Sequence, residues 1–152
     1  MICMKDYVGV VLVDGKNQIY LIKENDINDI GKDRWNLPGG SVDEGEGILE
    51  AAKREVLEET GYLTEIRSLL GCYKASKGGR SWFYLVLEAR VIVAQEKPTD
   101  PDVKEGRWFS REDFLNLENS EIVHPDMKLV YDVAVTGRGL PAETIKLINY
   151  DE

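Results

Sequence analysis

Apolar residues of "YVGVVLVDGKNQIYLIKE", Tyr7 to Glu24, fall into two β-rich runs hinged at Asp14 and Gly15, the pattern of a hairpin. The polar stretch "NDINDIGKDR" reads as a loop, and "WNLPGG" carries a Pro and two Gly that break any regular element. Between Gly47 and Thr60 the apolar period lengthens. Leu49, Ala52 and Val56 recur at spacings of three and four and predict a helix with a narrow apolar stripe. "LTEIRSLLGCYKAS" and "SWFYLVLEARVIVAQ", separated by "KGGR", predict a longer hairpin, with Cys72 as a core thiol. "KPTDPDV" is a loop by composition, "KEGRWFS" a short strand, and Ser110 caps a helix start in "SREDF". "PDMKLVYDVAVTG" predicts a last helix, with Pro125 near its first turn and Gly137 past its end. Strands around one helix, with one or two helices late in the chain, indicate an α+β domain or a mixed-sheet sandwich.

Composition narrows the functions open to such a domain. The chain has 152 residues, the length of one domain able to bury about 70% of its unfolded surface, and it is read as a single unit over 1–152. Its formal charge of -9 argues against a sequence-independent grip on a nucleic-acid polymer or an anionic membrane. A small anionic substrate stays open if a bound metal or local basic side chains supply positive charge. Two cysteines, Cys3 and Cys72, suggest neither a disulfide framework nor a metal knuckle, so a reducing cytoplasm is expected. No apolar run approaches a membrane span, and the apolar start reads as a strand rather than a leader. Asp26, Asn28 and Gly31 are spaced as in a calcium loop, but the twelfth position is Leu37 where a bidentate Glu is required, which excludes that site.

The predicted helix carries a contradiction. Its last turn holds Glu55, Glu58 and Glu59 just before Gly61, although a helix C-terminus already bears partial negative charge. At 100° per residue the three carboxylates share one face. One reading is a solvated acidic face, partly neutralised by Arg54, four residues from both Glu50 and Glu58. The other is a hard divalent cation, which takes oxygen ligands and turns repulsion into coordination.

Written with its spacings, the stretch is Gly40, five residues, Glu46, seven residues, Arg54-Glu55-Val56, one residue, Glu58-Glu59, one residue, Gly61. This resembles the Nudix box of the Nudix hydrolase family, with one departure: Tyr62 stands where the box has a bulky aliphatic residue. The resemblance is strongest over residues 35 to 62 and implies an α/β/α sandwich with a mixed sheet and the box loop and helix. It also implies hydrolysis, with Mg²⁺ or Mn²⁺, of a nucleoside diphosphate linked to another group, releasing a nucleoside monophosphate and a phosphorylated remainder. Position by position, Glu55, Glu58 and Glu59 would be metal ligands. Glu46 and Arg54 would form a bracing ion pair, and Glu55 or Glu58 could take the proton of the attacking water. Glu105, just before a tryptophan-bearing strand, is the candidate acid outside the box; its plain alternative is an exposed strand residue.

Substrate choice falls to other residues. Arg34, Gly39, Gly40, Lys77 and Arg80 are the candidate substrate-binding set, with Lys74 beside them; the basic ones are equally compatible with a solvated hairpin tip. Trp82, Phe83, Tyr84 and Trp108 are candidates to stack a base or ribose or to fill the core. Trp35 reads as a packing anchor, and His124, the only histidine, lacks Cys or His neighbours that would make it a ligand. Marks of specialised relatives are absent: the proline about fifteen residues past the box, where Ser76 and Lys77 stand, the arginine-rich upstream stretch, and the "SQPWPFPxS" array. A small nucleotide-derived substrate and a monomer or homodimer are expected. A Nudix-fold nucleotide-binding or regulatory module without catalysis is the alternative.

Overall fold

The computed structural model describes residues 5–25, 31–94, 97–124, 126–148 and 150. Cys3, Pro125 and the loop positions Asp26 and Asn28 lie outside them.

The first apolar runs form β1 (Tyr7–Val13) and β2 (Ile19–Glu24), joined antiparallel with Leu12 opposite Tyr20. The turn is tied by Asp14, whose carboxylate accepts from the N–H groups of Lys16 and Gln18, and Asn17 rather than Gly15 takes the left-handed conformation. Asx side chains tolerate that region because they hydrogen-bond locally.

"WNLPGG" does not simply interrupt the chain. Gly39–Ser41 is a three-residue strand, β3, paired antiparallel to β1 with Gly9 opposite Gly39. The main helix, α1, spans Ile48–Thr60 and ends at Gly61, whose φ of 76° permits the left-handed cap that a Cβ would strain.

The long hairpin is β4 (Tyr62–Lys77) and β5 (Arg80–Ala94), and β5 runs parallel to β1, which makes the sheet mixed. β6 (Val103–Phe109) lines the outer edge of β2. α2 (Arg111–Asn116) starts at Ser110, whose hydroxyl accepts from the Asp113 N–H. α3 (Met127–Val135) and a two-residue strand, β7 (Leu140–Pro141), complete the order β6-β2-β1-β5-β4-β7, with β3 beside β1.

Period-two alternation sends β1 residues to opposite faces. Val8, Val10 and Leu12 meet Ala51, Ala52 and Val56 of α1; Val11 and Val13 meet Phe114, Met127, Val130 and Tyr131 of α2 and α3. The result is the α/β/α sandwich. Cys72 is exposed rather than core: β4 carries register shifts before it, and each shift reverses the parity that the apolar run suggests. Among the described residues no helix is long and apolar enough to cross a membrane.

Candidate active site

α1 brings its acidic turn against the β1–β3 edge, at a place stripped of side chains. A Cβ at Gly40 would stand 2.5 Å from the Glu55 carboxylate, and one at Gly39 2.0 Å from the Val8 carbonyl oxygen. Only glycine lets the helix approach so closely.

Arg54 organises the turn. Its Nε donates to Glu46 at 2.8 Å, one terminal nitrogen reaches Glu55 at 3.0 Å and Glu58 at 3.4 Å, and the other donates to the Ser41 carbonyl and lies 3.7 Å from Asp43. Hydrogen bonds from Arg54 hold the Glu46 carboxyl below its ordinary range. Glu55 shifts the other way, raised by burial and then by Glu58 and Asp100, against the pull of Arg54.

Glu59 is the outlier. It is 2% exposed, accepts one hydrogen bond from the Gly39 N–H at 2.6 Å, and otherwise faces Glu24, with which it shares a hydrogen bond. Burial, and then Glu24, push its pKa up to about 10. Two carboxyls in such contact hold a proton between them unless a cation replaces it.

The helix end meets its unpaired carbonyls from outside. The N–H groups of Thr99 and Asp100 donate to the Glu58 carbonyl at 2.9 and 3.0 Å, so the 97–102 loop caps the acidic turn.

Tyr62, the departure from the aliphatic box position, accepts a hydrogen bond from the Trp108 indole at 3.0 Å and packs edge-on with Tyr20. A polar ring end earns its place there by satisfying a half-buried indole N–H.

The structure therefore gathers Glu46, Arg54, Glu55, Glu58 and Glu59, with Gly39 and Gly40 beneath them. It does not bring Glu105 in. On β6, Glu105 pairs with Lys23 of β2. A Cβ at its neighbour Gly106 would meet Tyr20 on the α1 side, so Glu105 shares the opposite face with Arg107, which stacks on Trp35 and Phe109. Glu50 lies against Gly47 instead of pairing with Arg54. The sequence reading missed Glu24 and Asp100. Glu24 had a signal: it continues the Tyr20, Ile22 alternation, a charge on a face whose other members are half-buried or buried.

On the other side of the glycines, a cleft of about 730 Å³ opens between the sheet and the start of α3. Glu24, Gly39 and Gly40 line it at one end, and Tyr7, Trp82, Tyr84 and His124 give it aromatic walls. Lys74 and Lys77 stand at its rim, whereas Arg34 and Arg80 do not line it. Phe83 is exposed, and Trp108 packs against Tyr20 and Tyr62 on the α1 side. Trp35 is buried, as expected of an anchor.

Hard oxygen donors crowded around one arginine, with a buried carboxyl whose nearest side-chain partner is another acid, suit a divalent cation chemically. Among the described residues no three acidic, histidine or cysteine side chains converge into a ready-made metal site. The Arg54 contacts hold Glu55 and Glu58 toward the arginine rather than toward Glu59.

A mixed sheet between helices, with an acidic helix end joined through a glycine gap to an aromatic cleft, defines the class of protein. The model of the NUDIX domain matches residues 5–131, and the chain belongs to the Nudix family. It is 43% identical over 68 residues to a putative 8-oxo-dGTP diphosphatase of Bacillus subtilis, an alignment covering 45% of this chain and 42% of that one. It is 32% identical over 117 residues to phosphatase NudJ of Escherichia coli K12, covering 76% and 75%. To an ADP-ribose pyrophosphatase of Methanocaldococcus jannaschii it is 32% identical, covering 74% and 64%. The chain thus spans less than half of the first of these relatives. A NUDIX hydrolase structure from Nitrosomonas europaea superposes with a TM-score of 0.81 at 21% identity, covering 96% and 98%, which establishes the fold.

Proposed function

We propose that the protein hydrolyses the diphosphate linkage of a small nucleotide derivative with Mg²⁺ or Mn²⁺, releasing a nucleoside monophosphate and a phosphorylated remainder. The observation that carries this reading is the continuity of the acidic helix end with the aromatic cleft across Gly39 and Gly40. A nucleoside in the cleft would present its phosphates to that end. The names of the relatives, a diphosphatase and a pyrophosphatase among them, support the same reaction class.

Glu55, Glu58 and Glu59 would hold the cation, which when bound neutralises phosphate oxygens and acidifies the attacking water. Water oxygen attacks a phosphorus, the bridging P–O bond breaks, and the bridging oxygen leaves on the departing phosphate. Glu55 or Glu58 takes the proton of the water. Arg54, bound to Glu46, keeps these carboxylates at the helix end and offsets part of their mutual repulsion. The aromatic walls exclude bulk water, which strengthens each charge interaction inside.

A panel of nucleoside di- and triphosphates and nucleoside diphosphate conjugates, incubated with Mg²⁺ or Mn²⁺ and coupled to a phosphatase, tests the reading. Metal-dependent phosphate release from at least one member is expected. Tight binding with no release across the panel would replace it with the non-catalytic nucleotide-binding module.

A further inference from the structure

Tyr84 is left unused by the chemistry above. Its ring lies 4.9 Å from that of His124, tilted by 33°, and 6.4 Å from that of Tyr73. With one face engaged by the imidazole, the ring is poorly placed to stack a base, which leaves its hydroxyl as the working end. That hydroxyl rests over Gly9: a Cβ there would stand 1.8 Å from the phenolic oxygen. Gly9 is opposite Gly39, whose N–H is held by Glu59. The hydroxyl therefore stands where the cleft meets the acidic helix end. It makes no hydrogen bond to any described residue. Tyr84 is half-buried and lines the cleft, so a ligand atom there can reach this free hydroxyl. Burial, with Tyr73 and Glu59 nearby, raises its pKa, so the phenol keeps its proton and can donate.

We infer that Tyr84 is a further substrate-contacting residue, its hydroxyl donating a hydrogen bond to a non-bridging oxygen of the sugar-proximal phosphate. The inference rests on the reading that the cleft takes a nucleoside diphosphate derivative. A phosphate oxygen is a pure acceptor and matches the O–H donor of a phenol that keeps its proton. The bare Gly9 backbone beneath makes room for the phenol end of Tyr84 itself, which any side chain at position 9 would displace.

Tyr84→Phe removes the hydroxyl and keeps the ring and its His124 contact. Calorimetry with Mg²⁺ would compare the α,β-methylene analogues of ADP and GDP with adenosine and guanosine. The variant is expected to bind the diphosphate analogues roughly 10- to 100-fold more weakly, as for a lost hydrogen bond to a charged acceptor, while nucleoside affinity and Tm stay unchanged. Equal affinity for the analogues, or an equal loss for nucleosides, would overturn the assignment. Failure of the unsubstituted protein to bind any analogue would remove both this assignment and the hydrolase reading. The expected binding pattern without turnover of any substrate would remove the hydrolase reading alone.

Discussion

Two arginines of this protein hold carboxylates, and they do so in opposite styles. Arg90 serves one acid. Its Nε and a terminal nitrogen reach one oxygen of Glu88 at 3.1 and 3.0 Å, Ser68 donates to the other at 2.8 Å, and the remaining arginine nitrogen donates to the Asp14 carbonyl. Charge and hydrogen bonds close there, far along the sheet from the cleft. Arg54 faces four acids, Asp43, Glu46, Glu55 and Glu58, while Glu59 beyond it has only Glu24 and one backbone N–H. A closed pair fastens β4, β5 and the β1–β2 turn. An oversubscribed arginine leaves negative charge that the fold itself does not balance, which makes sense where a cation is part of the working state.

The largest effect that could break this contrast is on turnover. Glu58→Gln is expected to lower metal-dependent hydrolysis by roughly 10²- to 10⁴-fold, the range for losing a group that holds or deprotonates the attacking water. Its carboxylate is 42% exposed, so Tm should hardly move. Arg90→Ala should do the reverse. It strands Glu88 and costs about 2 kcal/mol of stability, less than a fully buried pair because Arg90 keeps 28% exposure, with turnover retained at temperatures where the variant is folded. Parallel assays and thermal melts of the two variants decide the matter; equal turnover in both would show that the Arg54 cluster is only another brace.

Glu59 separates the two styles more finely. Glutamine at that position can accept from the Gly39 N–H and donate to Glu24, so Glu59→Gln should stabilise the metal-free protein by about 1 kcal/mol. The unsubstituted protein should gain about 2.7 kcal/mol from Mg²⁺ at 100 times its Kd, and the variant much less. Melts with and without Mg²⁺ check both halves. An undiminished Mg²⁺ response in Glu59→Gln would remove Glu59 from the ligand set.

What was legible in the sequence follows the range of the interactions. The box is local: its acids lie within one helix and its glycines at the helix boundaries, so spacing alone groups Glu46, Arg54, Glu55, Glu58 and Glu59. The cleft is not local. Tyr7, Trp82, Tyr84 and His124 come from β1, β5 and the turn before α3, and only the parallel pairing of Tyr7 with Tyr84 brings them together. β3 was hidden because its partner lies some thirty residues earlier, while proline and glycine composition argued for a break. Glu105 was misplaced for a related reason. Which face a strand residue takes depends on register with its neighbour, and the register of β6 against β2 also carries a shift between Lys23 and Glu24. Glu24 and Asp100 reach the acidic turn by the same long-range route.

The smallest effect concerns a buried titratable group outside both arginine clusters. Burial lowers the pKa of His124 below 6.5, while Asp126 pulls upward, and the Tyr84 ring beside it, itself near Tyr73, is neutral. The folded value lies below the unfolded one, so the unfolded chain binds the proton first as pH falls. The stability that His124 contributes is therefore fully present above pH 6.5 and is lost as pH drops toward the folded value. Glu59 pulls the other way. Its raised pKa makes its contribution present below the ordinary carboxylate range and lost as pH rises toward about 10 in the metal-free protein. The metal-free stability profile should thus fall at both ends. His124→Phe should flatten only the acid side and Glu59→Gln only the alkaline side. Because His124 is the only histidine, its ring-proton NMR titration gives the folded pKa directly. A midpoint at or above 6.5 would mean that the cleft wall is wetter than its burial indicates, and the acid-side slope would then need another source.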